Sequence, residues 1–102
     1  MAPGEALPLG VDFAPFLEPG ETLGRSHQIG ARLRDSTLNR GAAGMLAGPP
    51  AAAGTRVQQR VGPLRPGRRY RLDIVVYRRR PVRVLMATLA IDCVAGEAAE
   101  VG

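Results

Sequence analysis

From Arg69 to Cys93 the chain carries two long runs of side chains that alternate in polarity, separated by Arg78-Arg79-Arg80-Pro81. In the first run Tyr70, Leu72, Ile74 and Val76 fall on one parity, and Arg69, Arg71, Asp73, Val75 and Tyr77 on the other. In the second, Leu85, Leu89, Ile91 and Cys93 oppose Val82, Val84 and Met86. A period of two belongs to β-strands and does not fit a helix. Two such runs joined by a short polar stretch read as a hairpin. Apolar residues on both parities of the second run leave two alternatives: a strand covered on both faces, or one face offered to another subunit.

The same periodicity recurs upstream. Residues 25–34 place Ile29, Ala31 and Leu33 on one face and Gln28, Gly30, Arg32 and Arg34 on the other. Residues 55–62 place Val57 and Val61 on one face with Gln59 between them, and residues 7–13 read as a short strand that Pro8 directs to a sheet edge. Pro19-Gly20 marks a turn within residues 14–24, from which Phe16 and Leu17 are expected to fold back on the core. Residues 35–54 are rich in Gly, Pro and Ala and read as a long connection, mobile or ordered by a partner. One short strand is expected there around Leu38, Met45 and Leu46, and Pro49-Pro50 excludes a central one. A helix over residues 42–53 is limited to one turn by the same prolines and three nearby glycines. The 13 Gly and 9 Pro residues are dispersed without a repeat, as turns of an all-β fold require.

A chain of 102 residues is the size of one domain. It reads as a single β-sandwich with a flexible N-terminal segment (1–6), the loop 35–54 and a short acidic tail (95–102). The first residues lack a basic region and a long apolar run, so no secretory signal is expected and synthesis is placed in a cytoplasm. No stretch is long and apolar enough for a membrane span. The single Cys93 has no internal disulfide partner and reads as a buried apolar residue.

All 14 cationic side chains are Arg, and the formal net charge is +5. Eight of them, Arg65, Arg68, Arg69, Arg71, Arg78, Arg79, Arg80 and Arg83, fall within 19 residues and form the candidate interface. Three readings compete: a nucleic-acid patch that neutralises phosphates, a protein interface with bidentate carboxylate pairing, and a solvated surface in an Arg-rich proteome. Exposed aromatics for base stacking are absent apart from Tyr77, which weighs against single-strand binding. His27 is the only histidine and shares the parity of Ile29, as a packed or edge histidine would. The acids at 12, 18, 21, 35, 73 and 92 show no metal-ligand spacing. The glycines at 41, 44 and 48 lack the frame and the Lys of a phosphate loop. No catalytic residue, metal or cofactor is therefore expected, and the chain is read as a non-enzyme.

Leu64-Arg65-Pro66-Gly67-Arg68-Arg69-Tyr70-Arg71-Leu72 resembles the turn-and-strand of fibronectin type III and other immunoglobulin-like sandwiches. That resemblance implies an antiparallel immunoglobulin-like or fibronectin type III-like β-sandwich. It assigns Leu64, Pro66, Gly67 and Tyr70 to a tyrosine corner, with the phenol bonded to the chain a few residues upstream. Two further stretches resemble small immunoglobulin-like structural proteins of tailed bacteriophages. One runs from Val11 to Leu23, VDFAPFLEPGETL; the other carries Val57, Gln59, Val61, Gly67, Tyr70, Leu72, Arg83, Leu85 and Leu89 in order. The chain departs from that pattern at Tyr77-Arg78-Arg79-Arg80-Pro81 and over residues 35–54. The resemblance implies a virion component, either capsid decoration (a minor capsid protein) or part of the neck or head-tail connector. Its partners would be capsid, connector or tail subunits, in many copies or as a homo-oligomer, with no membrane. The alternative function is a basic nucleic-acid-binding module built on Arg65 to Arg83. A carbohydrate-binding adhesin is the third reading, and the lack of Trp speaks against its sugar platform.

Overall fold

The computed structural model describes residues 6–24, 27–79 and 81–93. Their strands are β1 (Leu7–Asp12), β2 (His27–Asp35), β3 (Arg40–Gly41), β4 (Ala51–Ala53), β5 (Arg56–Val61), β6 (Arg68–Arg78) and β7 (Arg83–Cys93). They form two antiparallel sheets with orders β1-β5-β4 and β3-β2-β6-β7. The two sheets pack apolar face on apolar face, the arrangement of a β-sandwich.

The alternation fixes which face each strand buries. On β6, Tyr70, Leu72, Ile74 and Val76 are buried; on β5, Val57, Gln59 and Val61; on β2, Leu33. Register brings like parities together: Leu72 sits opposite Leu33 on one side and Leu89 on the other. A one-residue slip would turn this whole set to solvent. Gln59 is a polar member of the core, as is Asp35 at the end of β2. The Gln59 amide nitrogen donates to the carbonyls of Gly48 (2.9 Å) and Arg60 (2.8 Å), while Oε1 has no partner among the described residues.

Three expectations change. Phe13, not Phe16, is the aromatic plug of the first loop. Its N–H donates to Thr55 O at 2.8 Å, and the following 3₁₀ turn (Ala14–Phe16), started by Pro15, swings Phe16 out to 54% exposure. Leu17 does pack against the core. Residues 35–54 hold two short edge strands and a second 3₁₀ turn (Ala43–Met45). The strand positions are 40–41 and 51–53, whereas Leu38 lies exposed in a turn and Met45 and Leu46 pack on the core. Cys93 is half-buried at the end of β7. The N-terminal five residues, Arg25, Ser26, Arg80 and the acidic tail lie outside the described residues. Among the described residues no helix is long and apolar enough to cross a membrane.

The connection 42–50 closes one flank of the sandwich. Ala42 N–H bonds Leu33 O (2.9 Å) on β2, Ala47 N–H bonds Arg60 O (2.9 Å), and Gly62 N–H bonds Met45 O (2.7 Å). The edge strands β3 and β4 therefore share that flank, and β1 and β7 share the opposite one.

Candidate functional surface

The entry to β6 is organised by Tyr70. Its ring is 1% exposed, and its hydroxyl accepts the backbone N–H of Arg65 at 3.0 Å. Gly67 adopts φ +79°, a conformation that favours glycine, and its N–H reaches Cys93 O at 2.6 Å. Leu64 packs against the core just before the turn, and Pro66 is exposed. A buried phenol with its oxygen satisfied holds the turn to the strand that follows it.

Strand parity then divides the arginines that the sequence groups together. Arg68, Arg78 and Arg83 lie on the inner parity, on the side of the core. Arg68 pairs with Asp35 at 3.2 Å, and the Asp35 side chain is 3% exposed. Burial pushes the Asp35 carboxyl upward, but the Leu38 N–H and the Arg68 guanidinium more than offset this and leave it below the usual range. Arg78 and Arg83 both grip Glu21, Arg83 at 3.1 Å, and Arg83 also donates to Phe16 O. His27 Nε2 lies 3.8 Å from the same carboxylate. The Glu18 N–H, foremost, and then these two arginines hold the Glu21 carboxyl below its ordinary value. These three arginines thus fasten loop 13–24 and the β2–β3 turn to the large sheet.

Arg69 and Arg71 point to the outer face of that sheet. Arg69 pairs with Asp92 at 3.1 Å and Arg71 with Asp73 at 3.3 Å. Arg65 and Arg79 are exposed at opposite ends of β6, roughly 35 Å apart along an 11-residue strand. The described members of the cluster therefore form no continuous basic patch. The signal that sequence reasoning missed is Glu21, whose partners are 57 and 62 residues away.

What the large sheet presents outward is a surface in two halves. Towards β3 and the Tyr70 end stand Arg32, Arg34, Arg69 and Arg71, with Asp92. Asp73 marks the middle, 7% exposed, accepting Thr88 Oγ1 at 2.7 Å. Towards the β6–β7 hairpin the surface is apolar. Val75 pairs with Met86 and Tyr77 with Val84, and Val82 follows in the turn. Val82, Val84 and Met86 are 71%, 59% and 63% exposed. Gly30 has no side chain to fill the sheet beside Val75, and a shallow depression of about 230 Å³ lies there.

Among the described residues no three His, Cys, Asp or Glu side chains are placed to hold a metal ion. The arrangement offers contact surface and paired charge. No protein-family model matches this chain, and neither a curated protein nor a solved structure matches it significantly.

Proposed function

We propose that this domain is an immunoglobulin-like structural component of a tailed-bacteriophage particle that works by protein–protein assembly and not by catalysis. The strand order supports the fold part of this reading. Taking β1 as strand B, the sheets β1-β5-β4 and β3-β2-β6-β7 follow the B-E-D and C′-C-F-G orders of such sandwiches. Tyr70 then falls at the start of the F strand, where a tyrosine corner belongs.

The observation that carries the assembly reading is the apolar half of the outer sheet face. Val82, Val84 and Met86 stand open to solvent beside Val75 and Tyr77. A contiguous apolar area with a polar border is a protein-docking feature. At its rim stands Arg32, which makes no ion pair among the described residues and can meet a partner carboxylate. The nucleic-acid alternative loses support because Arg68, Arg78 and Arg83 are committed to Asp35 and Glu21. The test is mass spectrometry of purified intact particles. The chain is expected there in stoichiometric amount, and Met86→Lys is expected to reduce its incorporation. Particles that lack the chain overturn the role.

A further inference from the structure

The two strands on the open flank bury their inward side chains only in part, as Ile29 and Ala31 of β2 do where β3 does not reach. The inward side chains of β1 (Leu7, Leu9, Val11) and of β7 (Leu85, Ala87, Leu89, Ile91, Cys93) pack on the core, yet every one stays half-buried. Their immediate neighbours β5 and β6 bury Val57, Val61, Leu72 and Ile74 completely. The large sheet is four strands wide and the small one three, and both are closed together at the β3–β4 flank. The mismatch therefore falls under β7, beside β1. Among the described residues it leaves a trough with one apolar wall from β1, an apolar roof from β7 and a backbone edge along one side.

That backbone edge can be read residue by residue. Phe13 N–H bonds Thr55 O, so the odd residues of β1 turn their amides towards β5. By alternation, the N–H and C=O of Gly10 and Asp12 and the C=O of Pro8 point away from the sheet. On the outer face of this edge β1 carries only Pro8, Gly10 and Asp12, opposite Arg60, Gln58 and Arg56 of β5. Gly10 lets the Arg56 guanidinium lie across the strand, since Nη2 is 3.4 Å from where a Cβ would sit. Neither Arg56 nor Arg60 makes an ion pair among the described residues.

We infer that this trough accepts one β-strand from a partner polypeptide, with apolar side chains on its inner parity and carboxylates on its outer parity. The inner side chains cover Leu85, Leu89 and Ile91. The backbone pairs with Gly10 and Asp12, and the carboxylates meet Arg56 and Arg60. In the immunoglobulin-like labelling this is the place of strand A. The inference specifies a second docking surface for the assembly role proposed above and rests on that reading for its partner. A second copy of the chain is a poorer occupant, because its own β1 would bring Pro8, which lacks an N–H, and Gly10 to the ladder.

The probe is a synthetic peptide alternating valine and glutamate, followed by NMR amide exchange on the whole chain. Binding with new protection of the Gly10 and Asp12 amides is expected. Gly10→Pro removes an outward N–H without touching the β5 ladder and should weaken binding by about tenfold or more. Leu89→Lys, on the roof, should do the same and serves where Gly10→Pro fails to fold; Ala52→Lys, on the opposite edge, should leave binding unchanged. No binding, or binding kept by both trough variants, overturns the proposal. Equal binding of a valine–lysine peptide overturns the acidic partner. Gly10 and Asp12 amides already protected in the free protein mean that a second copy or another part of the chain fills the trough, and also overturn it. Full incorporation of Gly10→Pro into particles sinks the trough as the docking site while leaving the assembly role intact.

Discussion

The β5–β6 centre and the β1–β7 flank are built from the same residue types, yet they end in different states. In the centre, Val57, Val61, Leu72 and Ile74 are fully buried, because each has a sheet neighbour on both sides and a facing sheet below. On the flank, Leu7, Leu9, Leu85, Leu89 and Ile91 face the same core and stay half-covered. Apolar sequence sets the direction of a side chain; the width of the opposing sheet sets how far it is buried. The centre holds the domain together, and the flank, with the outer apolar face, is left uncovered among the described residues.

Mutations can break or sharpen this contrast. The largest effect is expected in the centre. Leu72→Ala should destabilise by about 2–5 kcal/mol in chemical denaturation, through lost transfer energy and a cavity. Leu89→Ala, directly opposite on β7, should cost roughly half of that or less, since solvent already reaches the site. Equal losses would erase the distinction between the two regions. Next, Tyr70→Phe should cost about 1 kcal/mol, the hydrogen bond to the Arg65 amide, while the ring stays packed.

A smaller effect is expected from acid. Glu21 and Asp35 titrate below their ordinary values in the folded chain. Their contribution to stability is therefore present above the unfolded carboxylate range, near pH 4, and fades as pH falls through their lowered folded values. Glu21→Gln should flatten that acid limb of a stability–pH curve; an unchanged limb would mean that the pairs with Arg78 and Arg83 contribute nothing. The smallest effect on stability belongs to the outer face. Met86→Lys should change unfolding free energy by less than about 0.5 kcal/mol, because its side chain is already in water.

The long strands were legible in the sequence because their burial is one-sided and periodic. Ile29, Ala31 and Leu33, then Tyr70 to Val76, then Leu85 to Cys93 keep the parity that alternation assigns them. The partner of the Tyr70 hydroxyl was legible because Leu64 to Tyr70 is a local unit. Strands β3 and β4 were not, since two and three residues of Arg, Gly and Ala carry no period. Nor was the fate of the arginines. Adjacent positions in the sequence go to opposite faces of a sheet, and the acids that claim Arg68, Arg78 and Arg83 lie in distant segments. The trough depends on how two sheets of unequal width stack, which no single strand encodes.

Residue-resolved amide exchange of the free, monomeric protein tests the account most directly. Leu9 and Val11, turned towards β5, should exchange slowly along with the amides of β6, while Gly10 and Asp12 between them exchange close to the rate of an unpaired strand. Uniform protection along residues 9–12, or fast exchange of β6 itself, would contradict a completed centre beside an uncovered flank.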